Sequence, residues 1–202
     1  MIPYIDIHTH RGERTVIVCG ERELLCRGIH PWNVGKATMA MLNEVVEAAA
    51  GGEIVAIGEI GLDYATEIDH ELQKFVFEAQ LALAERHDLP VVVHCVHAMD
   101  DALSILADHS LRAVIFHGFI GPPQVARGAV ERGYWLSFGP TAFRSPKTLE
   151  ALRSAPPGQF FLETDTSGER IETVYTRAAE ALGTRTEALR EQLYDNFKRI
   201  FG

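Results

Sequence analysis

Six residues whose chemistry suits a metal stand at the downstream ends of apolar runs: His8 and His10, Glu59, His94, His117 and Asp165. Neutral imidazole nitrogens and carboxylate oxygens are good ligands for a borderline divalent ion such as Zn²⁺. In the opening stretch Asp6-Ile7-His8-Thr9-His10, extended backbone puts Asp6, His8 and His10 on one side and Ile5, Ile7 and Thr9 on the other. Both imidazoles then point one way. Such a pair alone reads more readily as two surface histidines near a terminus; recurrence of the same residue types at the ends of later strands reverses that reading. Six ligands exceed what one tetrahedral ion uses, which predicts two divalent ions (Zn, Mg or Mn) bridged by a carboxylate, with Glu59, midway along the chain, as the bridge. Two ions lower the pKa of a bound water and clamp the oxygens of an in-line displacement, so hydrolysis is the expected chemistry.

Bringing six groups together requires strands that end on one face. The 202 residues, 47% of them hydrophobic, suit one domain over 1–202. From Pro31 onward apolar strands alternate with amphipathic helices. Lys36 to Ala50 reads as a helix stopped by Gly51-Gly52, and Ile54 to Glu59 as a buried strand. A long helix follows from Asp69 to His87, with Leu72, Phe75, Val76, Ala79 and Leu83 along one face. Pro90–His94, Ala113–His117, Gly133–Gly139 and Phe160–Asp165 are further strands, and the last helix starts at the capping box Thr184-Arg185-Thr186-Glu187. Before Pro31 the connections are too short for helical crossovers, so the Thr15 and Leu24 strands are expected to form a hairpin. The fold class is α/β: a TIM-type (β/α) barrel, irregular or incomplete near strands 1–3, with an open doubly wound sheet as the alternative. In a parallel barrel the C-terminal strand ends share the face that carries the active site.

A net charge of −9 argues against a broad basic surface for duplex DNA or anionic membranes, but not against a strand end held at a metal centre. Cys19, Cys26 and Cys95 show no paired spacing, which reads as reduced thiols in a cytoplasmic protein without a catalytic thiol. No signal segment, membrane span or obligate protein partner is read from the chain.

In order, Asp6-Ile7-His8-Thr9-His10, Gly28-Ile29-His30-Pro31, Gly58-Glu59-Ile60-Gly61-Leu62-Asp63, Pro90-Val91-Val92-Val93-His94-Cys95, Phe116-His117-Gly118-Phe119 and Leu162-Glu163-Thr164-Asp165 resemble the signatures of the TatD family of metal-dependent hydrolases, amidohydrolase-like TIM barrels. A weaker match lies at Asn196–Phe201. The resemblance implies that His8, His10, Glu59 and Asp165 hold one metal, and Glu59, His94 and His117 the other. It implies that Asp165 also orients or deprotonates the attacking water, and that the substrate is a phosphodiester at a DNA or RNA end. His30 and Asp63 match motif positions at the rim and are candidate substrate contacts.

Three motifs depart from the family pattern. Cys95-Val96-His97 stands where an Arg is common, His117-Gly118-Phe119-Ile120-Gly121 lacks the small hydroxyl residue, and Thr166-Ser167 replaces a proline. Without that guanidinium, phosphate recognition passes to His97, Arg144, Lys147 or Arg170, or to the metals. Two alternatives follow: an ester or amide hydrolase using the same metals, and a trimmed, non-catalytic barrel. The chain is also short for the family between His10 and His30 and after Asp165, which predicts irregularity in those segments.

Overall fold

The computed structural model describes residues 2–35 and 38–202. In chain order β1 (Ile5–Arg11), β2 (Arg14–Cys19) and β3 (Arg22–Arg27) follow one another without a helix. Alternation then sets in: α1 (Thr38–Ala50), β4 (Ala56–Asp63), α2 (His70–Arg86), β5 (Val91–Val96), α3 (Met99–Leu106), β6 (Val114–Phe116), α4 (Pro123–Val130), β7 (Trp135–Phe138), α5 (Pro146–Ser154), β8 (Phe160–Leu162), α6 (Ile171–Leu182) and α7 (Thr186–Phe201). Lys36, the expected first residue of α1, lies outside the described residues. The chain divides into two compact units: a terminal unit, the chain up to Leu24 with Phe116–Gly202, and a central unit, Leu25–Ile115.

In the terminal unit β1 and β2 form an antiparallel hairpin, from Ile5 opposite Cys19 to Arg11 opposite Arg14. Only Gly12 and Glu13 connect them, and Gly12 takes the left-handed backbone (φ +63) that such a turn needs. The Thr15 strand pairs with the opening strand on one side and neighbours the Leu24 strand, β3, on the other, as the expected hairpin requires, and the early chain is irregular as its short connections imply. A register shift between Asp6 and Thr9 breaks the strict alternation expected of β1. Both residues consequently meet Thr164: its N–H donates to Asp6 Oδ1 (2.9 Å), its hydroxyl donates to Asp6 Oδ2 (2.6 Å), and Thr9 Oγ1 lies 2.9 Å from that hydroxyl. Burial is the larger influence on Asp6 and pushes it up to about 6, partly countered by the Thr164 bonds. β7 and β8 are parallel, and a parallel bridge joins Thr9 to Asp165.

Tyr175 on α6 anchors β1 from below. Fully buried, its hydroxyl donates to Ile5 O (3.0 Å) and accepts from Ile5 N–H (3.2 Å). Removing the hydroxyl in Tyr175→Phe strands both backbone groups, so unfolding free energy measured in denaturant should fall by about 1–3 kcal/mol. A change below about 0.5 kcal/mol would mean that β1 needs no such anchor.

The last helix starts later than the capping box suggests. Gly183 is left-handed (φ +64), Thr184 N–H bonds to Ala179 O (3.0 Å) and Gly183 N–H to Glu180 O (3.3 Å). This paired arrangement closes α6, so Thr184 serves the helix before it; α7 begins at Thr186, with Arg185 at the N-cap and no side-chain cap.

In the central unit β3 runs parallel to β4 through Cys26 and Arg27, and β4 runs parallel to β5 from Ile57 opposite Val91 to Asp63 opposite Val96. Every residue of β4 is buried, as a continuous apolar run covered on both faces requires. The register places Gly61 opposite His94, where a Cβ would come within 2.0 Å of His94 O. Only glycine permits that approach, and its φ of +136 also excludes most side chains.

Helix α2 is rotated from its expected face. Leu72 and Phe75 are 40% and 62% exposed, whereas Gln73 and Gln80 are fully buried beside Val76, Phe77, Leu81 and Ala84. The two amides, two turns apart, pair with backbone that apolar side chains would leave unsatisfied. Gln73 accepts from Asp63 N–H (2.8 Å) and donates to Asp63 O (3.0 Å). Gln80 accepts from Ile29 N–H (2.6 Å) and donates to Ile29 O (3.3 Å).

Candidate metal centre

In the terminal unit β1 and the segment after β8 bring three ligand-type groups together. His8 Nε2 lies 3.6 Å and His10 Nε2 3.5 Å from the same oxygen, Asp165 Oδ1. Asp165 has left-handed backbone (φ +49), and its N–H donates to His8 O (3.0 Å), which ties the end of β8 to β1. Burial disfavours the charged form of Asp165. Hydrogen bonds from His10 and His8, and the charges of His117 and His8, outweigh it and hold the carboxyl well below the usual carboxylate range. His117, just past β6, packs its ring against His8 with centroids 4.1 Å apart.

Glu163 joins this group although its sequence position suggested no role. It is fully buried, its Oε1 is 3.5 Å from His117 Nδ1, and neither of its oxygens meets a hydrogen-bond donor among the described residues. A buried carboxylate in that setting is stabilised by a nearby cation. Ligand atoms of His8, His10 and Asp165 lie within 4.8 Å of one another, as do those of His117, Glu163 and Asp165. The residues fit a divalent ion. The signal available in the sequence was a carboxylate directly following the apolar run Phe160-Phe161-Leu162.

In the central unit Glu59 Oε1 is 2.9 Å from His94 Nδ1 and 3.1 Å from His30 Nε2. The proton positions follow from the partners. Asp63 Oδ2 lies 3.1 Å from His94 Nε2 and accepts from the Trp32 indole N–H (2.6 Å), while Oδ1 accepts from Ala65 N–H (2.9 Å). Burial works against the Asp63 carboxylate, but the bonds from Trp32, Ala65 and His94 lower its pKa and keep it ionised. An ionised carboxylate only accepts, so His94 donates to it from Nε2, and the opposite nitrogen, Nδ1, stands 2.9 Å from Glu59 Oε1. A ring nitrogen and a carboxylate oxygen at 2.9 Å share a proton or a metal ion, so this pair also fits a divalent cation. His30 differs. Its Nδ1 accepts from Trp32 N–H (3.1 Å), which leaves the proton on Nε2 to donate to Glu59.

The candidate substrate contacts are dispersed. His30 and Asp63 touch the ligand-type residues Glu59 and His94. His97 is exposed beyond β5 with left-handed backbone (φ +54), and Arg144 and Lys147 are exposed around the start of α5. Arg170 pairs with Glu172 (3.3 Å) and, with Arg11, lines a cavity of about 930 Å³ that takes in His10 and Asp165. Burial is the main cause that pushes the Cys95 thiol up to about 12, consistent with an inert cysteine.

Comparison with known proteins supplies the family. A family model described as TatD related DNase matches residues 14–202. A metal-dependent hydrolase of Bacillus subtilis, YabD, is 33% identical over 192 residues, covering 86% of this chain and 75% of the relative. The human protein named deoxyribonuclease TATDN3 is 35% identical over 183 residues, covering 82% of this chain and 67% of its own length. The crystal structure of YjjV, a TatD homologue from Escherichia coli, superposes with a TM-score of 0.80 at 29% identity, covering 87% of this chain and 75% of that one. The fold class is accordingly α/β of the TIM-barrel type. Among the described residues no helix is long and apolar enough to cross a membrane. The family model begins downstream of His10, so the opening histidine pair is tied to the rest by its contacts with Asp165, and the chain as a whole belongs to the TatD-related DNase family of metal-dependent hydrolases.

Proposed function

We propose that the chain hydrolyses phosphodiester bonds at nucleic-acid ends with two divalent ions, Zn²⁺, Mn²⁺ or Mg²⁺. His8, His10 and Asp165 serve one ion and Glu59 and His94 another, with His117 as a further nitrogen ligand. The observation that carries this reading is the Glu59–His94 pair: a carboxylate oxygen lies 2.9 Å from His94 Nδ1 while Asp63 holds the opposite ring nitrogen. When bound, such ions supply Lewis-acid activation of the phosphoryl group and a water acidic enough to attack at neutral pH. Asp165, ionised and partly exposed, would hold the ion with His8 and His10 and accept a hydrogen bond that orients the attacking water. His30 and Asp63 act on the ligands, His30 by donating to Glu59 and Asp63 by fixing the tautomer of His94. The relative named a deoxyribonuclease supports a nucleic-acid substrate. Three cysteines without disulfides fit a reducing, cytoplasmic compartment.

A second reading, hydrolysis of an ester or amide by the same residues, is favoured by one observation: no guanidinium follows His94, and Arg170 is already paired with Glu172. One experiment separates the two. Protein stripped by chelator and reloaded with Mn²⁺, Mg²⁺ or Zn²⁺ is assayed on an end-labelled single-stranded oligonucleotide beside a panel of carboxylic esters and cyclic amides. Nuclease activity should vanish with the metal, as followed by elemental analysis, and return on reloading. Turnover unaffected by chelation, or confined to the carbonyl substrates, would overturn the proposal.

A further inference from the structure

We infer that Trp32 is a stacking platform for a nucleobase of the substrate, set beside the Glu59–His94 pair; this rests on the phosphodiesterase reading. Trp32 is 60% exposed, a large apolar plane left in water in a chain that buries most of its aromatic rings. Its position is nevertheless fixed at two points. The backbone N–H donates to His30 Nδ1 (3.1 Å), and the indole N–H donates to Asp63 Oδ2 (2.6 Å), the same oxygen that holds His94. Both anchors belong to residues that contact Glu59 or His94, and the indole centroid is 4.8 Å from the His30 ring and 6.1 Å from the His94 ring.

Packing does not explain this arrangement, because the ring is mostly solvated. A general polar contact does not explain it either, because the one polar atom of the indole is already used. What remains available is a rigid π-face with its ordering entropy already spent, next to ligand-type residues. Every base has a π-face, so such a platform accepts single-stranded substrate without reading its sequence. It also suits an acidic chain that lacks the usual guanidinium after His94, since stacking holds the substrate without positive charge.

The test compares wild type, Trp32→Ala and Trp32→Phe, all metal-loaded, on a short oligothymidylate and on the same strand with its terminal base removed. Stacking contributes about 1–3 kcal/mol per base, or roughly five- to 150-fold. Wild type should therefore show a KM about fivefold or more lower for the base-bearing strand. Trp32→Ala should abolish that preference, with the loss falling on KM rather than kcat, and Trp32→Phe should keep most of it. A binding readout is independent of turnover. Trp135, the other tryptophan, is buried, so fluorescence quenching by a phosphorothioate oligothymidylate reports on Trp32. Quenching by the base-bearing strand and not by the abasic one supports the platform even if no phosphodiester is cleaved, which separates its fate from that of the activity. Unchanged KM in Trp32→Ala at equal metal content, or equal quenching by both strands, would overturn it.

Discussion

Glu59→Gln is expected to lower kcat/KM on a single-stranded oligonucleotide by about a thousandfold or more, because metal activation supplies several kcal/mol and each 1.36 kcal/mol is tenfold. The substitution preserves shape and the acceptor for His30 Nε2, but it removes the charge that faces His94 Nδ1 at 2.9 Å. An amide is a poor ligand for a borderline divalent ion, so metal content by elemental analysis should fall with activity. Fold stability measured in chelator should not fall, because Glu59 is a buried carboxylate and the neutral amide is easier to bury. Retention of activity within tenfold, at full metal content, would remove Glu59 from the centre. Loss of activity with loss of folding in chelator would assign it a structural role instead.

Gln80→Met should destabilise the central unit strongly while leaving every ligand-type residue in place. The side chains are similar in volume, so packing is largely kept and the lost amide is what is measured. Ile29 N–H and C=O, bonded to Gln80 at 2.6 and 3.3 Å, would be left buried without partners at a cost of about 1–3 kcal/mol each. For a chain of this size that corresponds to a fall in Tm of roughly 4–24 °C. The effect should reach the site as well, since Ile29 precedes His30, whose Nε2 orients Glu59. Calorimetry in chelator, where metal binding cannot mask the loss, is the measurement. A shift under 2 °C would show that the loop before His30 is held by something other than this amide.

Legibility in the sequence differed from residue to residue. His8, His10 and Asp165 were readable because each closes an apolar run, and the structure does bring all three together. Glu163 was not, since an acid within two residues of a stronger candidate looks like a turn residue until its burial beside His117 is seen. The face of α2 was misread because periodicity counts apolar side chains, whereas Gln73 and Gln80 are drawn inward by backbone groups of segments far away in the chain. The capping box at Thr184 failed for a local reason: Gly183 committed that residue to the end of α6.

By itself the sequence determined the α/β alternation, the irregular start and the family, because these depend on local periodicity, on connection length and on short motifs that survive without knowledge of contacts. It also determined the kind of chemistry, since imidazole and carboxylate at strand ends have few other uses. Only the tertiary structure shows how these groups face one another within each unit. Whether His30 offers a lone pair or a proton depends on Trp32 N–H, and which nitrogen of His94 faces Glu59 depends on Asp63. A histidine tautomer is set by its neighbours in space, and no pattern along the chain records them.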